Sequence, residues 1–280
     1  MNKSAVRQQF TTAIQLEDSS IELDRVALLI AAEEYPSLDV EEYLSLLDEL
    51  AANSRRRMTA DELNDPLLSA EILALHLFGE GRFAGNSKDY YDARNSFLND
   101  VIDRGRGIPI ALSVVFIEVA RRLGIQLYGV GLPGHFLIKY TDTVNEIFFD
   151  PFNGGKILME DDCRQKVEEM YQGRVPFHAS FLKAFTKKQI LSRMLQNLKG
   201  VYFNIGELNK ALEAIERLLL LNPDSMEEIR DRGLVNFAMK KYAISRPDLE
   251  AYLQALPNAQ DQEQVRKALN ELRQKQAQLN

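Results

Sequence analysis

The 280-residue chain contains a single cysteine, Cys163, and little that suits a nucleic-acid or membrane partner. One cysteine excludes an internal disulfide and an all-cysteine metal site. The net charge of −7 argues against nonspecific nucleic-acid binding, which requires clustered Lys and Arg. No apolar run approaches the ~20 residues of a membrane span, and the first ten residues lack the apolar stretch of a signal peptide. We therefore expect a cytoplasmic protein with no membrane span, no nucleic-acid partner, no cofactor and no bound metal.

The first 95 residues are predicted to be helical from the spacing of their apolar side chains. One helix leads from residue 24 towards Pro36, where proline ends it. A second, over residues 39–52, carries apolar side chains on one face at helical spacing. A third, over residues 69–78, is stopped by two glycines. We interpret this part as a helical collar rather than a catalytic unit.

Residues 107–159 have the pattern of one buried helix followed by a small sheet. Pro109 suits the first turn of a helix, where its missing N–H costs nothing. Residues 110–123 are apolar on most sides, which predicts a buried central helix. Short β-like runs follow at 126–132, 135–140 and 146–149, and the turn residues between them indicate an antiparallel sheet.

His135 opens one of these predicted strands, and Asp150 closes the next. If the two strands pair as a hairpin, their facing ends come close enough for a hydrogen bond between imidazole and carboxylate. Such a bond fixes the tautomer and orients the ring. The layout suits the histidine and acid of a nucleophile–histidine–acid site, and it suits a purely structural His–Asp pair equally well.

A dinucleotide site is not expected, although residues 129–134 match the pattern Gly-x-Gly-x-x-Gly. That pattern binds a pyrophosphate because its glycine turn opens a helix whose N-terminus faces the phosphates. Here the turn leads instead into the strand-like residues 135–138.

From about residue 187 the chain is again predicted to be helical, and it resembles itself at a spacing of about 34 residues. Leu208 corresponds to Tyr242, and Pro223 corresponds to Pro257. A proline that closes each helix pair at this period is typical of tetratricopeptide repeats. The first repeat matches well, whereas the second is degenerate, and Pro247 is expected to interrupt its second helix.

Several motifs together resemble those of the bacterial transglutaminase-like/tetratricopeptide family, which is named after an invasion regulator. They lie at residues 95–101, 107–109, 123–125, 131–137 and 150–152. The resemblance implies a mostly helical α+β fold. Its transglutaminase/papain-like core would be a central helix on a small antiparallel sheet. It further implies an N-terminal helical region (1–95), the core (96–185) and C-terminal tetratricopeptide-like helices (186–280).

The resemblance also locates the position of the nucleophile. Active relatives in that superfamily carry a cysteine about 15 residues before a Leu-Gly-Ile-Pro-like turn. The same distance before Gly124 lies Pro109, which has no nucleophile, whereas His135 and Asp150 match the histidine and the acid. Cys163 is not expected to substitute, because it follows the sheet and its acidic neighbours would raise its pKa and lower its thiolate fraction.

Ser113 is the one alternative nucleophile near that position. It lies on the same face of the predicted helix as Pro109, about 6 Å further along the axis. A serine inside a helix more often donates back to a carbonyl of the preceding turn.

Asn99 and Arg106 precede the central helix and are candidate binding residues together with Pro109. We expect Arg106 to pair with Asp100 or Asp103. The alternative is that it lines a groove leading to the histidine.

Two functions fit these residues. The first is a non-catalytic scaffold or regulator that binds a protein partner through its cleft and its repeat helices. The second is a cryptic hydrolase or acyltransferase that uses His135 and Asp150 with Ser113 or with an activated water. We favour the first, because proline occupies the nucleophile position.

Overall fold

The computed structural model describes residues 2–279. By their contacts, the residues divide into two compact units, Met1–Met194 and Leu195–Asn280. The predicted class, a mostly helical α+β protein, is confirmed. The three-part division into residues 1–95, 96–185 and 186–280 stays a prediction.

The N-terminal third of the chain is helical, as its apolar spacing predicts. Asp39 caps the third helix by accepting from the backbone N–H of Glu41. Pro66 occupies the first turn of the fifth helix, which therefore begins earlier than predicted and runs into a π-helical turn, Leu75–Gly79. The five helices are α1 (Lys3–Ile14), α2 (Leu23–Glu34), α3 (Val40–Arg55), α4 (Ala60–Leu63) and α5 (Pro66–Ala74).

The predicted central helix is present and buried. After strand β1 (Ala84–Gly85), helix α6 (Leu98–Arg104) and strand β2 (Arg106–Gly107), helix α7 spans Pro109–Arg122. Its residues Pro109–Ala120 are all buried. Strands β1 and β2 pair in parallel just before α7. Between α6 and β2, Gly105 adopts a φ of +61°, and a Cβ there would collide with the carbonyl oxygen of Arg82.

The predicted antiparallel sheet packs on α7, and it has four strands rather than the three β-like runs predicted. The strands are β3 (Tyr128–Val130), β4 (Leu137–Thr141), β5 (Glu146–Asp150) and β6 (Lys156–Leu158), in that order across the sheet. Helix α8 (Glu160–Tyr171) follows β6. Phe116 of α7 contacts Phe149 of β5 edge to face, with ring centroids 5.5 Å apart. This contact joins the helix to the sheet in one core.

Buried charges attach the second half of α7 to α2 and α3. Arg122 Nη2 lies 2.8 Å from Asp24 Oδ2, and Arg121 Nε lies 2.8 Å from Glu118 Oε2. Arg122 also binds Asp48 of α3. Burial, followed by the nearby charge of Asp24, raises the pKa of Glu118 to about 7. Burial also opposes ionisation of Asp24, but its bonds to Arg122 outweigh this and hold the pKa of Asp24 below its usual range.

The second unit consists of helices at tetratricopeptide spacing. The helix Leu208–Leu221 is followed, 34 residues later at both ends, by the helix Tyr242–Ala255. The helices are α9 (Lys187–Asn204), which contains the division between the units, α10 (Leu208–Leu221), α11 (Met226–Ala238), α12 (Tyr242–Ala255) and α13 (Gln262–Leu279). In the part of the chain that the structure describes, no helix is long and apolar enough to cross a membrane.

The prediction that Pro247 interrupts its helix is wrong, because α12 continues through it. Proline removes the N–H that would bind the carbonyl four residues earlier, which is that of Ala243. Both Pro247 and Ala243 are exposed, so water can hydrate that carbonyl. On the buried side, Ser245 Oγ donates to the carbonyl of Gly233 at 2.7 Å and ties α12 to α11.

Candidate functional site

His135 lies in the turn between β3 and β4, two residues before β4 begins, and not at the start of a strand as predicted. The backbone N–H of His135 donates to the carbonyl of Leu132 at 3.1 Å. Gly134 has a φ of +70°, and a Cβ there would lie 2.6 Å from Met170 Sδ. The tight glycine turn that precedes the imidazole therefore packs against the end of α8.

The predicted hydrogen bond between His135 and Asp150 is present. Register in the β4–β5 hairpin pairs Ile138 with Phe149, which brings the residues before β4 alongside the end of β5. His135 Nε2 lies 2.9 Å from Asp150 Oδ1, and the two side chains are 8% and 1% exposed. An ionised carboxylate only accepts, so Nε2 carries the proton and a neutral ring presents Nδ1 as an acceptor.

Two further residues hold Asp150, and the sequence analysis missed both. Lys166 Nζ of α8 lies 2.9 Å from Asp150 Oδ2. Asn153 donates to Asp150 Oδ2 through Nδ2 at 2.8 Å. Burial favours the neutral acid, but the hydrogen bonds from His135, Asn153 and Lys166 outweigh burial and hold the pKa of Asp150 well below its usual range. Asp150 is therefore a buried anion with a partner on each oxygen.

Aromatic side chains flank the imidazole. Phe152 packs edge to face against His135, with centroids 6.1 Å apart. Tyr90 packs on Phe152 at 6.0 Å and on Tyr91 at 5.4 Å. Tyr91 is exposed, so this row of rings leads from the buried histidine to the surface.

The residues at and near the expected nucleophile position place no hydroxyl or thiol in hydrogen-bond contact with His135 among the described residues. Pro109 is the first residue of α7 and is buried. Ser113 is 0% exposed. Its Oγ has no hydrogen-bond partner among the described residues, so the bond expected to the preceding turn is absent. No hydrogen bond joins Ser113 to His135 in that part of the chain.

Cys163 lies in α8 and is fully buried in the core formed by the sheet and that helix. Burial, followed by the charge of Asp162, raises the pKa of its thiol to about 12. A thiol with this pKa is protonated and unreactive at neutral pH. The predicted exclusion of Cys163 as a nucleophile therefore agrees with its environment.

The predicted pairing of Arg106 with Asp100 or Asp103 is wrong. Asp100 accepts from the hydroxyl of Tyr35 at 2.7 Å, and Asp103 accepts from the hydroxyl of Tyr43 at 2.7 Å. Arg106 is exposed and donates only to the neighbouring carbonyl of residue 105 within the described chain. Tyr35, which follows α2, and Tyr43 of α3 therefore bind these two carboxylates in place of Arg106.

Asn99 of α6 is buried, and its Oδ1 has no hydrogen-bond partner among residues 2–279. None of the described hydrogen bonds connects Asn99 or Arg106 to His135. The structure therefore brings His135 and Asp150 together and leaves Ser113, Asn99 and Arg106 outside that hydrogen-bond network.

The cavities near the site are polar or lie at the sheet edge. A cavity of about 380 Å³ reaches Asp150 and Lys166 from the side of α8. A larger one, about 1040 Å³, lies among α1, α2 and the start of α3 and is not lined by His135. Across the described residues, no group of three or more His, Cys, Asp or Glu side chains is placed to hold a metal ion.

Comparison with protein families gives two matches that together cover most of the chain. The profile of the transglutaminase-like superfamily matches residues 41–196. The tetratricopeptide repeat profile matches residues 198–270.

The chain is also similar to several named proteins. It is 38% identical to a UPF0162 protein of Xylella fastidiosa, over 92% of each chain. It is 29% identical to a UPF0162 protein of Pseudomonas aeruginosa, over 89% of this chain and 90% of that one. A shorter match, 32% identical, joins 54% of this chain to 25% of F-box only protein 21 of Mus musculus. No solved structure matches with statistical significance.

Proposed function

The chain belongs to the transglutaminase-like superfamily, and we propose that it acts as a non-catalytic member that binds a protein partner. In this proposal the protein is a cytoplasmic scaffold or regulator. Its cleft and its tetratricopeptide helices form the binding surfaces. The tetratricopeptide repeats support the proposal of a protein partner, since stacked helix pairs present extended concave surfaces to other proteins.

The observation that carries the proposal is Pro109 at the first position of α7. Nucleophilic catalysis needs a hydroxyl or thiol within about 2.6–3.2 Å of its base. Ser113 is sealed in the core without a hydrogen bond among the described residues, and Cys163 is a buried, protonated thiol. Within residues 2–279, His135 therefore has a partner that orients it and no hydroxyl or thiol bonded to it for activation.

The charges around Asp150 support a binding role for the histidine. Lys166 and His135 share one carboxylate. Because Nε2 of His135 donates to Asp150, Nδ1 is the ring nitrogen left to accept from a partner. A neutral His135 whose Nδ1 accepts a hydrogen bond suits recognition of a partner's N–H or O–H group. Our candidate binding residues remain Arg106, which is exposed, and Asn99 and Pro109, which are buried.

A hydrolysis assay tests the absence of catalysis directly. Wild-type protein and the His135→Ala variant are compared on an activated ester and an activated amide, and we expect equal background rates. Turnover that the wild type shows and His135→Ala loses would establish an enzyme. A fluorophosphonate probe distinguishes the serine version, since labelling that Ser113→Ala abolishes would identify Ser113 as the nucleophile.

A gain-of-function variant tests the position assigned to the nucleophile. Pro109→Cys in a Cys163→Ala background restores a thiol at the start of α7. We expect this variant to gain iodoacetamide reactivity over Cys163→Ala alone, and we expect the gain to be lost when His135→Ala is added. A thiol whose rate ignores His135 would show that Pro109 does not occupy that position.

A further inference from the structure

Strand β6 is an open edge of the sheet. It is the last strand in the order β3-β4-β5-β6. Within residues 2–279, no backbone bridge joins its outer side. The other edge is covered, because Val130 of β3 forms a bridge with Ala184, and the N–H of Phe185 donates to Gly129 at 2.8 Å. An uncovered edge presents N–H and C=O groups that pair readily with another extended chain.

The side chains of β6 alternate between two cavities, one on each face of the sheet. Ile157 lines a cavity of about 450 Å³ bounded by α5 and the π-helical turn. Lys156 and Leu158 line the cavity of about 380 Å³ bounded by α8. An extended chain placed along β6 has the same two-residue alternation, so its successive side chains would enter the two cavities in turn.

The cavity beside Ile157 is apolar and open. Leu75 is 61% exposed, Ile157 is 44% exposed and Leu68 is 38% exposed. All three are aliphatic, and all three line the same cavity. Contiguous exposed aliphatic side chains mark interaction sites more often than isolated ones do. This face therefore suits aliphatic side chains of a partner.

The cavity on the other face offers one cation to a partner. Lys166 is engaged by Asp150. The two other carboxylates of the lining are also engaged: Asp162 accepts from the N–H of Met159, and Glu169 accepts from the side chain of Gln165. Lys156 is exposed, and no ion pair engages it in the part of the chain that the structure describes. A carboxylate on the incoming chain would complement Lys156 without displacing an existing pair.

We propose that β6 receives an extended peptide segment of a partner protein as a fifth strand. Aliphatic side chains of the segment enter the cavity beside Leu75 and Ile157. The residue between two of them is acidic and faces Lys156. This surface lies in the first unit and does not involve the tetratricopeptide helices. One of its two cavities also reaches Asp150 and Lys166, which belong to the hydrogen-bond network of His135.

Three blocked synthetic peptides test the proposal on the full-length protein by titration calorimetry and amide hydrogen exchange. The first alternates valine and glutamate, the second alternates valine and lysine, and the third has the composition of the first in scrambled order. We expect the valine–glutamate peptide to bind and to slow exchange at residues 156–158. The scrambled peptide is expected to bind at least about tenfold more weakly.

Variants of the protein separate the two cavities. Lys156→Glu is expected to weaken the valine–glutamate peptide by about fivefold or more and to strengthen the valine–lysine peptide. Leu75→Asp is expected to lower the affinity for both peptides by about tenfold. Lys88→Glu and Val144→Asp are matched controls, because both residues are exposed and line neither cavity. Their affinities should equal that of the wild type.

Backbone pairing has its own test. Two versions of the valine–glutamate peptide carry N-methyl groups at odd or at even positions, which block the donors on opposite sides of the extended chain. Pairing with β6 requires that one version binds and the other does not. Equal affinity of the two versions overturns the proposal, as does failure of the unmethylated peptide to bind. Sedimentation velocity tests for a dimer. If the protein dimerises and Leu75→Asp abolishes the dimer, the edge binds a second copy of the chain, and the proposal of a partner peptide is overturned.

Discussion

Glu118→Gln is the substitution whose effect on stability depends most clearly on pH. Glu118 is buried beside Asp24, and burial followed by that neighbouring charge raises its pKa from 4.5 to about 7. The folded protein therefore holds this proton more tightly than the unfolded chain does. The resulting stabilisation is complete below about pH 4.5 and is lost as the pH rises through about 7. Glutamine keeps the shape and hydrogen-bonding capacity of the neutral acid at every pH.

The size of the effect follows from the shift. One pKa unit corresponds to 1.36 kcal/mol, so between pH 5 and pH 8 the wild type loses about 2 to 3 kcal/mol that Glu118→Gln retains. For a unit of this size that difference corresponds to roughly 5–10 °C in melting temperature. Thermal melts of both proteins at pH 5, 6, 7 and 8 give the difference directly.

Glu49→Gln is the matched control, because Glu49 is exposed on α3. Its melting temperature should follow that of the wild type at all four values of pH. If the difference between Glu118→Gln and the wild type stayed constant from pH 5 to pH 8, the assignment of a buried, protonated acid at Glu118 would be refuted. A difference that shrank as the pH rose would contradict the sign.

Three further substitutions, one of them with a matched control, test individual contacts. Ser113→Ala is expected to leave the free energy of unfolding unchanged or to raise it by about 1 kcal/mol in urea denaturation, because the buried hydroxyl has no partner among the described residues. Gly105→Ala is expected to cost more than about 2 kcal/mol, since its Cβ meets a backbone carbonyl, whereas Gly81→Ala has open space and should cost about 1 kcal/mol. Asp150→Asn is expected to cost about 3 kcal/mol at pH 7, because Lys166 loses its carboxylate. That cost should shrink below about pH 4, since an acid with a lowered pKa stabilises the fold only while it is ionised. The first prediction is contradicted if Ser113→Ala lowers the free energy of unfolding by more than about 1 kcal/mol. The second is contradicted if Gly105→Ala and Gly81→Ala cost the same, and the third if the cost of Asp150→Asn stays constant as the pH falls.

The features that the sequence predicted well depend on short-range patterns. Helix α7 begins at Pro109 and ends within a residue of the predicted boundary, because apolar spacing and a proline in the first turn act locally. The hydrogen bond between His135 and Asp150 could be predicted, since a single hairpin joins them. The repeat period was also visible, because α12 begins and ends 34 residues after α10 does.

The features that were missed depend on partners brought from elsewhere in the fold. Lys166 lies in α8 and Asp150 ends β5, and no sequence pattern links the two residues. Arg106 was expected to pair with a nearby acid, but Tyr35 bonds to one of the two candidates. Ser113 was expected to bond locally, and its hydroxyl has no partner among residues 2–279. Exposure and packing decide such contacts, and both require the folded arrangement.

The order of the strands has a consequence for how quickly the first unit folds. Each strand of the β3-β4-β5-β6 sheet pairs with its immediate neighbour along the chain. Contacts between neighbours close short loops, and chains rich in such contacts fold faster than chains with distant pairings. The parallel pairing of β1 with β2 joins Ala84 to Arg106 across a longer loop. We therefore expect the meander, with its His135 turn, to form early and the β1–β2 pairing to close later.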